Sequence, residues 1–148
     1  MGALRDRLAA DVKDAMRARD QLRLNTLRSA LSGFTYKRSE AGLDLTDADE
    51  VEVVARLVKQ RGDSLGEFEQ AGRTDLAQRE RAEREILLAY LPPQKSADEI
   101  REIVRHAIAQ AAPEGVNRGA LMKAVLPQLK GMADGKLVAQ IVGEELTA

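Results

Sequence analysis

The charged residues Arg61 and Glu83 interrupt the apolar faces of two predicted helices. At about 100° of rotation per residue, the apolar residues that share a face with Arg61 are Val54, Leu57, Leu65 and Phe68, and those that share a face with Glu83 are Leu76, Ile86, Leu87 and Tyr90. A buried charge needs a partner, because its desolvation alone costs several kcal/mol. Either the two side chains form a structural ion pair between neighbouring helices, or both lie at the edge of the apolar stripe and extend to water.

Three lysines near the C-terminal end could contact phosphate. Lys123 and Lys130 are seven residues apart, which places them on one polar helix face. Lys136 falls in the first turn of the next predicted helix, whose N-terminal amides could also bind an anion. The alternative is three solvated lysines beside a helix capped by Asp134. We expect any nucleic-acid contact of this chain to use these lysines first.

Residues 13–38 form a locally basic segment, in which seven basic residues stand against two acidic ones. The basic residues are Lys13, Arg17, Arg19, Arg23, Arg28, Lys37 and Arg38, and the acidic ones are Asp14 and Asp20. Solvated helix faces and phosphate contacts both produce such a pattern. Arg28, Lys37 and Arg38 are our candidates for a secondary nucleic-acid contact.

The sequence lacks most of the residue combinations that catalysis or metal binding requires. The chain has one His and no Cys, and His106 lies opposite the apolar face of its predicted helix, so we expect no metal site. Ser64 and Ser96 have no evident base, and neither a GxGxxG nor a GxxxxGK[ST] phosphate-binding loop occurs. The sequence therefore predicts no catalytic residue and no cofactor.

The spacing of apolar residues predicts an all-α fold of seven helices with no sheet. Pro92 and Pro93 divide it, because proline cannot continue an α-helix and the residue before a proline leaves the α region. We expect an N-terminal domain of four helices over residues 1–92 and a three-helix C-terminal domain over residues 93–148. The predicted helix caps are Asp20, Thr46, Ser96, Asn117 and Asp134.

Three helices carry more specific expectations. In the first, the residues Leu4, Leu8, Val12 and Met16 recur every four positions and predict one buried face. The fourth is expected to end at about Tyr90 or Leu91, just before the proline pair. In the sixth, Pro127 predicts a kink or a tightened last turn.

Composition narrows the class of protein. The chain has 148 residues, of which 44% are apolar and 32% charged, as in an ordinary globular protein. Aromatic residues make up only 3%, which argues against an aromatic platform for single-stranded nucleic acid. The net charge of −1 excludes a globally basic nucleic-acid binder but leaves room for a local patch. No run is long and apolar enough for a signal peptide or a membrane span, so we predict a cytoplasmic protein with no membrane partner.

Four segments, in this order, resemble the GatB/YqeY family over nearly the whole chain. They are Leu27-Arg28, Lys59-Gln60-Arg61-Gly62-Asp63-Ser64, Tyr90-Leu91-Pro92-Pro93-Gln94 and Lys130-Gly131-Met132-Ala133-Asp134-Gly135-Lys136-Leu137-Val138. The second and fourth segments make the resemblance specific. Gly62 departs from the family pattern, which usually has a longer residue there. Because glycine inside a helix costs up to about 1 kcal/mol relative to alanine, the departure predicts a softer third helix.

The resemblance implies kinship to the tail of the B subunit of the tRNA-dependent Glu-tRNA(Gln)/Asp-tRNA(Asn) amidotransferase. That tail is a helical appendage that engages tRNA, while ammonia production lies in other domains. The label that goes with the family is a carbon–nitrogen ligase with glutamine as amido donor, but the sequence contains neither the kinase-like domain nor the amidase subunit. We therefore expect a tRNA-associated helical binding module whose partners are tRNA, amidotransferase subunits or another protein. The alternative is a helical protein–protein adaptor without a nucleic-acid role.

Overall fold

The structure, a computed structural model, describes residues 2–111 and 113–148. These residues form helices and turns with no strand among them, which confirms the predicted all-α class. The chain divides into two compact units, one ending at Leu91 and the other beginning at Pro92. That the two units are separate domains stays a prediction. In the described part of the chain, no helix is both long and apolar enough to cross a membrane.

The first unit contains four helices. They are α1 (Ala3–Ala18), α2 (Gln21–Ala41), α3 (Asp47–Gln70) and α4 (Thr74–Leu88). The most extensive packing joins α3 to α4, and α1 packs mainly against α2. After α4 the chain tightens into a turn, in which the Tyr90 N–H donates to the Leu87 carbonyl at 3.0 Å. The helix α4 therefore ends at Leu88, slightly before the predicted end at Tyr90 or Leu91. A turn fills the remaining residues, because Pro92 keeps the residue before it out of the α region.

The second unit contains three α-helices, α5 (Ala97–Gln110), α6 (Arg118–Val125) and α7 (Gly135–Thr147). A 3₁₀ turn at Pro113–Gly115 precedes α6, and a second one at Leu126–Leu129 follows it. The second turn contains Pro127, which has no N–H for an α-helical hydrogen bond. The predicted tightening of the last turn of the sixth helix is confirmed.

Side-chain caps start several of these helices. Thr46 and Ser96 each form a capping box, in which Thr46 Oγ1 accepts from the Asp49 N–H and Ser96 Oγ accepts from the Glu99 N–H, both at 3.1 Å. The remaining predicted caps at Asp20, Asn117 and Asp134 also accept from the first turn of their helices. All five predicted caps are confirmed, because capping depends on residues three positions apart at most.

Each unit has its own apolar core. The buried residues of the first core are Leu8, Leu27, Ala30, Phe34, Val53, Val54, Val58, Leu87 and Tyr90. Those of the second are Ile100, Val104, Leu121, Val125, Leu129, Val138, Ile141 and Val142. The first helix departs from its predicted stripe at one position, since the Met16 residue is 52% exposed while Ala15 is buried. Four residues turn a helix by about 400°, so a strict four-residue repeat drifts around the helix, and Ala15 rather than Met16 faces the same side as Leu4 and Leu8.

Candidate functional site

The structure brings Arg61 and Glu83 together between α3 and α4. Arg61 Nε lies 3.5 Å from Glu83 Oε2, and the two side chains are 17% and 13% exposed. Arg61 Nη2 also donates to Ser29 Oγ of α2 at 3.3 Å, and Arg79 Nε donates to the other carboxylate oxygen of Glu83 at 3.3 Å. The buried Arg61 Nε has no hydrogen bond of its own, so its contact with Glu83 is a charge pair without hydrogen-bond geometry.

This pair forms one side of a polar pocket of about 460 Å³. The residues that line it are Gln60, Arg61, Asp63, Ser64, Glu80 and Glu83. Burial and the nearby charge of Glu83 raise the pKa of Glu80, while Arg61 and Arg79 partly offset the effect. Among the described residues, no group of three or more His, Asp or Glu side chains could hold a metal ion. The lining carries three carboxylates, those of Asp63, Glu80 and Glu83, against the single guanidinium of Arg61, so the pocket is acidic on balance.

Glu50 is a buried acid that sequence reasoning missed. It lies in the first turn of α3 and is only 2% exposed, and its Oε1 accepts from the Arg5 N–H of α1 at 3.1 Å. The carboxylate therefore caps the start of α1, whose own N-cap residue, Gly2, offers no side-chain bond. A Cβ at Gly2 would overlap the Glu50 carboxylate. The signal was available, because Glu50 lies one turn before Val54 on the same helix face.

Tyr90 is the centre of a second polar cluster in the first unit. Its hydroxyl donates to Asp11 Oδ2 at 2.5 Å and accepts from Arg23 Nη2 at 3.2 Å. The Arg7 guanidinium lies 4.5 Å from the ring centroid. Burial, together with the hydrogen bond to Asp11, raises the pKa of Tyr90 to about 12. The sequence pattern identified the apolar ring of Tyr90 but not the partners of its hydroxyl, which come from α1 and α2.

The candidate lysines all lie on the surface of the second unit. Lys123 is exposed on α6, Lys130 follows the 3₁₀ turn, and Lys136 is in the first turn of α7. Because α6 ends at Val125, Lys130 is not part of a helix, and the expected common helical face of Lys123 and Lys130 does not form. Lys130 and Lys136 instead flank the loop that precedes α7. Their role in binding stays a prediction.

The secondary candidates in the first unit are largely engaged by neighbouring groups. Lys37 Nζ lies 3.1 Å from Glu52 Oε2, and Arg38 Nη2 lies 2.8 Å from Asp44 Oδ1. Arg28 differs, since its guanidinium has no ion pair in the described residues and its one hydrogen-bond contact there is with Met16 Sδ at 4.0 Å. The structure therefore does not join Arg28, Lys37 and Arg38 into one cationic patch.

The fold and these contacts define a class: a small all-α protein with a four-helix unit followed by a three-helix unit. The chain belongs to the family described as Yqey-like protein, whose family model matches residues 5–146.

The chain is similar to proteins from several fungi, in some cases over most of its length and in others over about half of it. "Altered inheritance of mitochondria protein 41, mitochondrial" of Clavispora lusitaniae is 35% identical over 128 residues, which are 84% of this chain and 75% of that protein. The protein of the same name from Pyrenophora tritici-repentis is 30% identical over 145 residues, covering 96% of this chain and 80% of the relative. The one from Lachancea thermotolerans is 42% identical over 85 residues, but these are 57% of this chain and 46% of the relative.

These names contradict the predicted cytoplasmic location, because each relative is named as a mitochondrial protein. The prediction rested on the absence of an apolar signal segment. Mitochondrial targeting segments are amphipathic and rich in arginine rather than apolar, so that absence could not discriminate between the two compartments.

Proposed function

We propose that this Yqey-like chain is a tRNA-binding helical module related to the tail of the amidotransferase B subunit. The second unit contacts the phosphate backbone through Lys123, Lys130 and Lys136. The proposal assigns binding to this chain and no catalytic step, so the carbon–nitrogen ligase label describes kinship only.

The observation that carries the proposal is the separation of charge along α7. Glu144 and Glu145, in the last turns, bind Arg101 at 2.7 and 2.8 Å, and Glu145 also binds Arg105 at 3.0 Å. Lys136 is at the opposite end of the helix, eight residues before Glu144, which corresponds to roughly 12 Å of rise. The acidic end of α7 is therefore engaged by arginines of α5, while its first turn carries the exposed Lys136.

The three lysines of the second unit suit a contact with the phosphate backbone of tRNA more than recognition of its bases. All three lysines are exposed, and Lys123 has no ion pair in the part of the chain that the structure describes. Asp134, the one carboxylate in the loop between Lys130 and Lys136, accepts from the Lys136 N–H at 2.9 Å as a helix cap. Lysine side chains contact phosphates as flexible point charges and do not read sequence by themselves. The expected affinity is thus strongly dependent on salt and weakly dependent on tRNA identity.

A gel-shift titration with unfractionated tRNA tests the proposal. The Lys123→Ala, Lys130→Ala, Lys136→Ala triple variant should bind more weakly than the wild type. The matched control is Arg56→Ala, Lys59→Ala, Arg73→Ala, which removes three exposed cations of the first unit and leaves the second unit unchanged. Equal loss in both triple variants would show a nonspecific charge effect and contradict the assigned surface.

A further inference from the structure

Met16 is an exposed apolar side chain near the turn between α1 and α2, in a segment that is rich in cations. The residue is 52% exposed, and Lys13 and Arg17 are its i−3 and i+1 neighbours on α1. Arg28 of α2 approaches from the other side, with Nη2 at 4.0 Å from Met16 Sδ. Arg19, the C-cap of α1, lies three residues after Met16. We refer to Lys13, Met16, Arg17, Arg19 and Arg28 as the Met16 surface.

The cations of this surface are available to a partner. Lys13, Arg19 and Arg28 have no ion pair within residues 2–111 and 113–148. Arg17 is paired with Asp14 at 3.1 Å, but these side chains are 77% and 68% exposed, so the pair contributes little and exchanges readily. The other nearby acid, Asp20, accepts from the Arg23 N–H at 3.1 Å as the cap of α2. The Met16 surface therefore carries a positive charge that the protein itself does not neutralise.

We propose that the Met16 surface docks an acidic segment of another protein, which places one apolar side chain against Met16. Methionine is flexible and polarisable, and it adapts to apolar partners of different shape. The cations of the Met16 surface would orient the acidic segment and speed its association. This inference goes beyond tRNA binding, since it concerns the other unit and a different class of partner.

Met16 is the feature that favours a protein over other polyanions. A phosphate backbone needs cations and gains nothing from an exposed thioether at their centre. An anionic membrane would need a broader apolar face than one side chain, and Leu8 of α1 is buried in the core. A segment that combines carboxylates with an apolar residue matches both parts of the surface.

Fluorescence anisotropy with the full chain tests this inference against defined probes. The probes are a labelled helical peptide of glutamates with leucines on one face, an equally charged glutamate peptide without leucine, a single-stranded RNA, and vesicles containing phosphatidylserine. We expect the leucine-containing peptide to bind several-fold more tightly than the leucine-free one. The changes Met16→Ser and Arg28→Glu should each weaken its binding by about tenfold.

The control is Lys59→Glu, which changes the net charge as Arg28→Glu does, at an exposed position of α3. Circular dichroism verifies that each variant keeps its helical content. Failure of the leucine-containing peptide to bind, or binding that Met16→Ser leaves unchanged, would overturn the inference. Binding of the RNA or the vesicles that depends on Arg28 while the peptides do not bind would also overturn it. Because Lys123, Lys130 and Lys136 are intact in all these variants, the outcome is independent of the tRNA test.

Discussion

The side-chain amide of Gln94 donates to the backbone carbonyl of Gly131 at 2.8 Å. The next residue, Lys95, donates its N–H to the Met132 carbonyl at 2.8 Å. Two of the segments that carry the family resemblance, which lie far apart in sequence, are therefore neighbours in the second unit. Their contact holds the segment before α5 against the loop that contains Gly131 and leads to Lys136.

Gly131 has a φ of 75°, in the left-handed region, and it is buried. A residue with a Cβ is disfavoured there by about 1–2 kcal/mol. We expect Gly131→Ala to lower the free energy of unfolding by about that amount, as measured by urea denaturation. Gly135→Ala is the control, because Gly135 begins α7 with open space around it and alanine favours a helix. Equal stability of the two variants would contradict this account of the loop.

The contribution of Arg61 and Glu83 can be tested with a double-mutant cycle. Breaking a buried ion pair typically costs about 3–5 kcal/mol, and we expect Arg61→Leu to fall at the lower end because Arg79 still pairs with Glu83. The Arg61→Leu, Glu83→Leu double variant should recover most of the loss, since no charge is then stranded. Urea denaturation of the four proteins measures the effect. Additive losses in the double variant would rule out coupling between the two residues.

The raised pKa of Glu80 predicts that replacing this carboxylate stabilises the protein in a pH-dependent way. Burial and the charge of Glu83 raise this pKa, so the folded state holds the proton more tightly than the unfolded state and ionisation opposes folding. Glu80→Gln should therefore be more stable than the wild type at neutral pH. The difference should disappear as the pH falls below the ordinary range of a glutamate.

Thermal unfolding of Glu80→Gln at a series of pH values tests whether the variant is more stable than the wild type at neutral pH. Glu85→Gln, an exposed acid of the same helix, is the control and should show no such trend. A Glu80→Gln variant that is less stable than the wild type at neutral pH would contradict the assignment.

Tyr90 predicts a second pH dependence, at the alkaline end. Its pKa is raised from 10.0 to about 12, so its contribution to stability is complete below pH 10.0 and is lost as the pH rises toward 12. Tyr90→Phe should lack this part of the alkaline loss. It should also remove the late phase of tyrosinate absorbance in an ultraviolet titration, and persistence of that phase would contradict its assignment to Tyr90.

The parts of the fold that were predictable from sequence are those set by local interactions. The cap at Thr46 needs only a hydroxyl and an acid three residues later, and the proline pair ends a helix through its own sterics. Met16 was misplaced because a strict four-residue repeat drifts around a helix of about 3.6 residues per turn, so that Ala15 takes the buried position. The common face of Lys123 and Lys130 failed because Pro127 replaces the last α-helical turn with a 3₁₀ turn.

The polar clusters of the first unit show a different limit of prediction from sequence. Apolar spacing marked Arg61 as anomalous, and the same spacing marks Glu50, whose position among the first-turn acids of α3 concealed its burial. The partners of Tyr90 lie on α1 and α2, so only the three-dimensional packing reveals them. Apolar spacing can mark a charge on a buried face, but it does not name the partners of a hydroxyl such as that of Tyr90.

The salt dependence of tRNA binding tests the central claim most directly. Each phosphate contact contributes a slope of about −0.7 to −0.9 to a plot of log K against log salt concentration. The wild-type slope should therefore be steep, and that of the Lys123→Ala, Lys130→Ala, Lys136→Ala variant should be shallower by about 2–3. The Arg56→Ala, Lys59→Ala, Arg73→Ala control should keep the wild-type slope. An unchanged slope in the lysine variant, or wild-type binding that does not respond to salt, would contradict phosphate recognition by this unit.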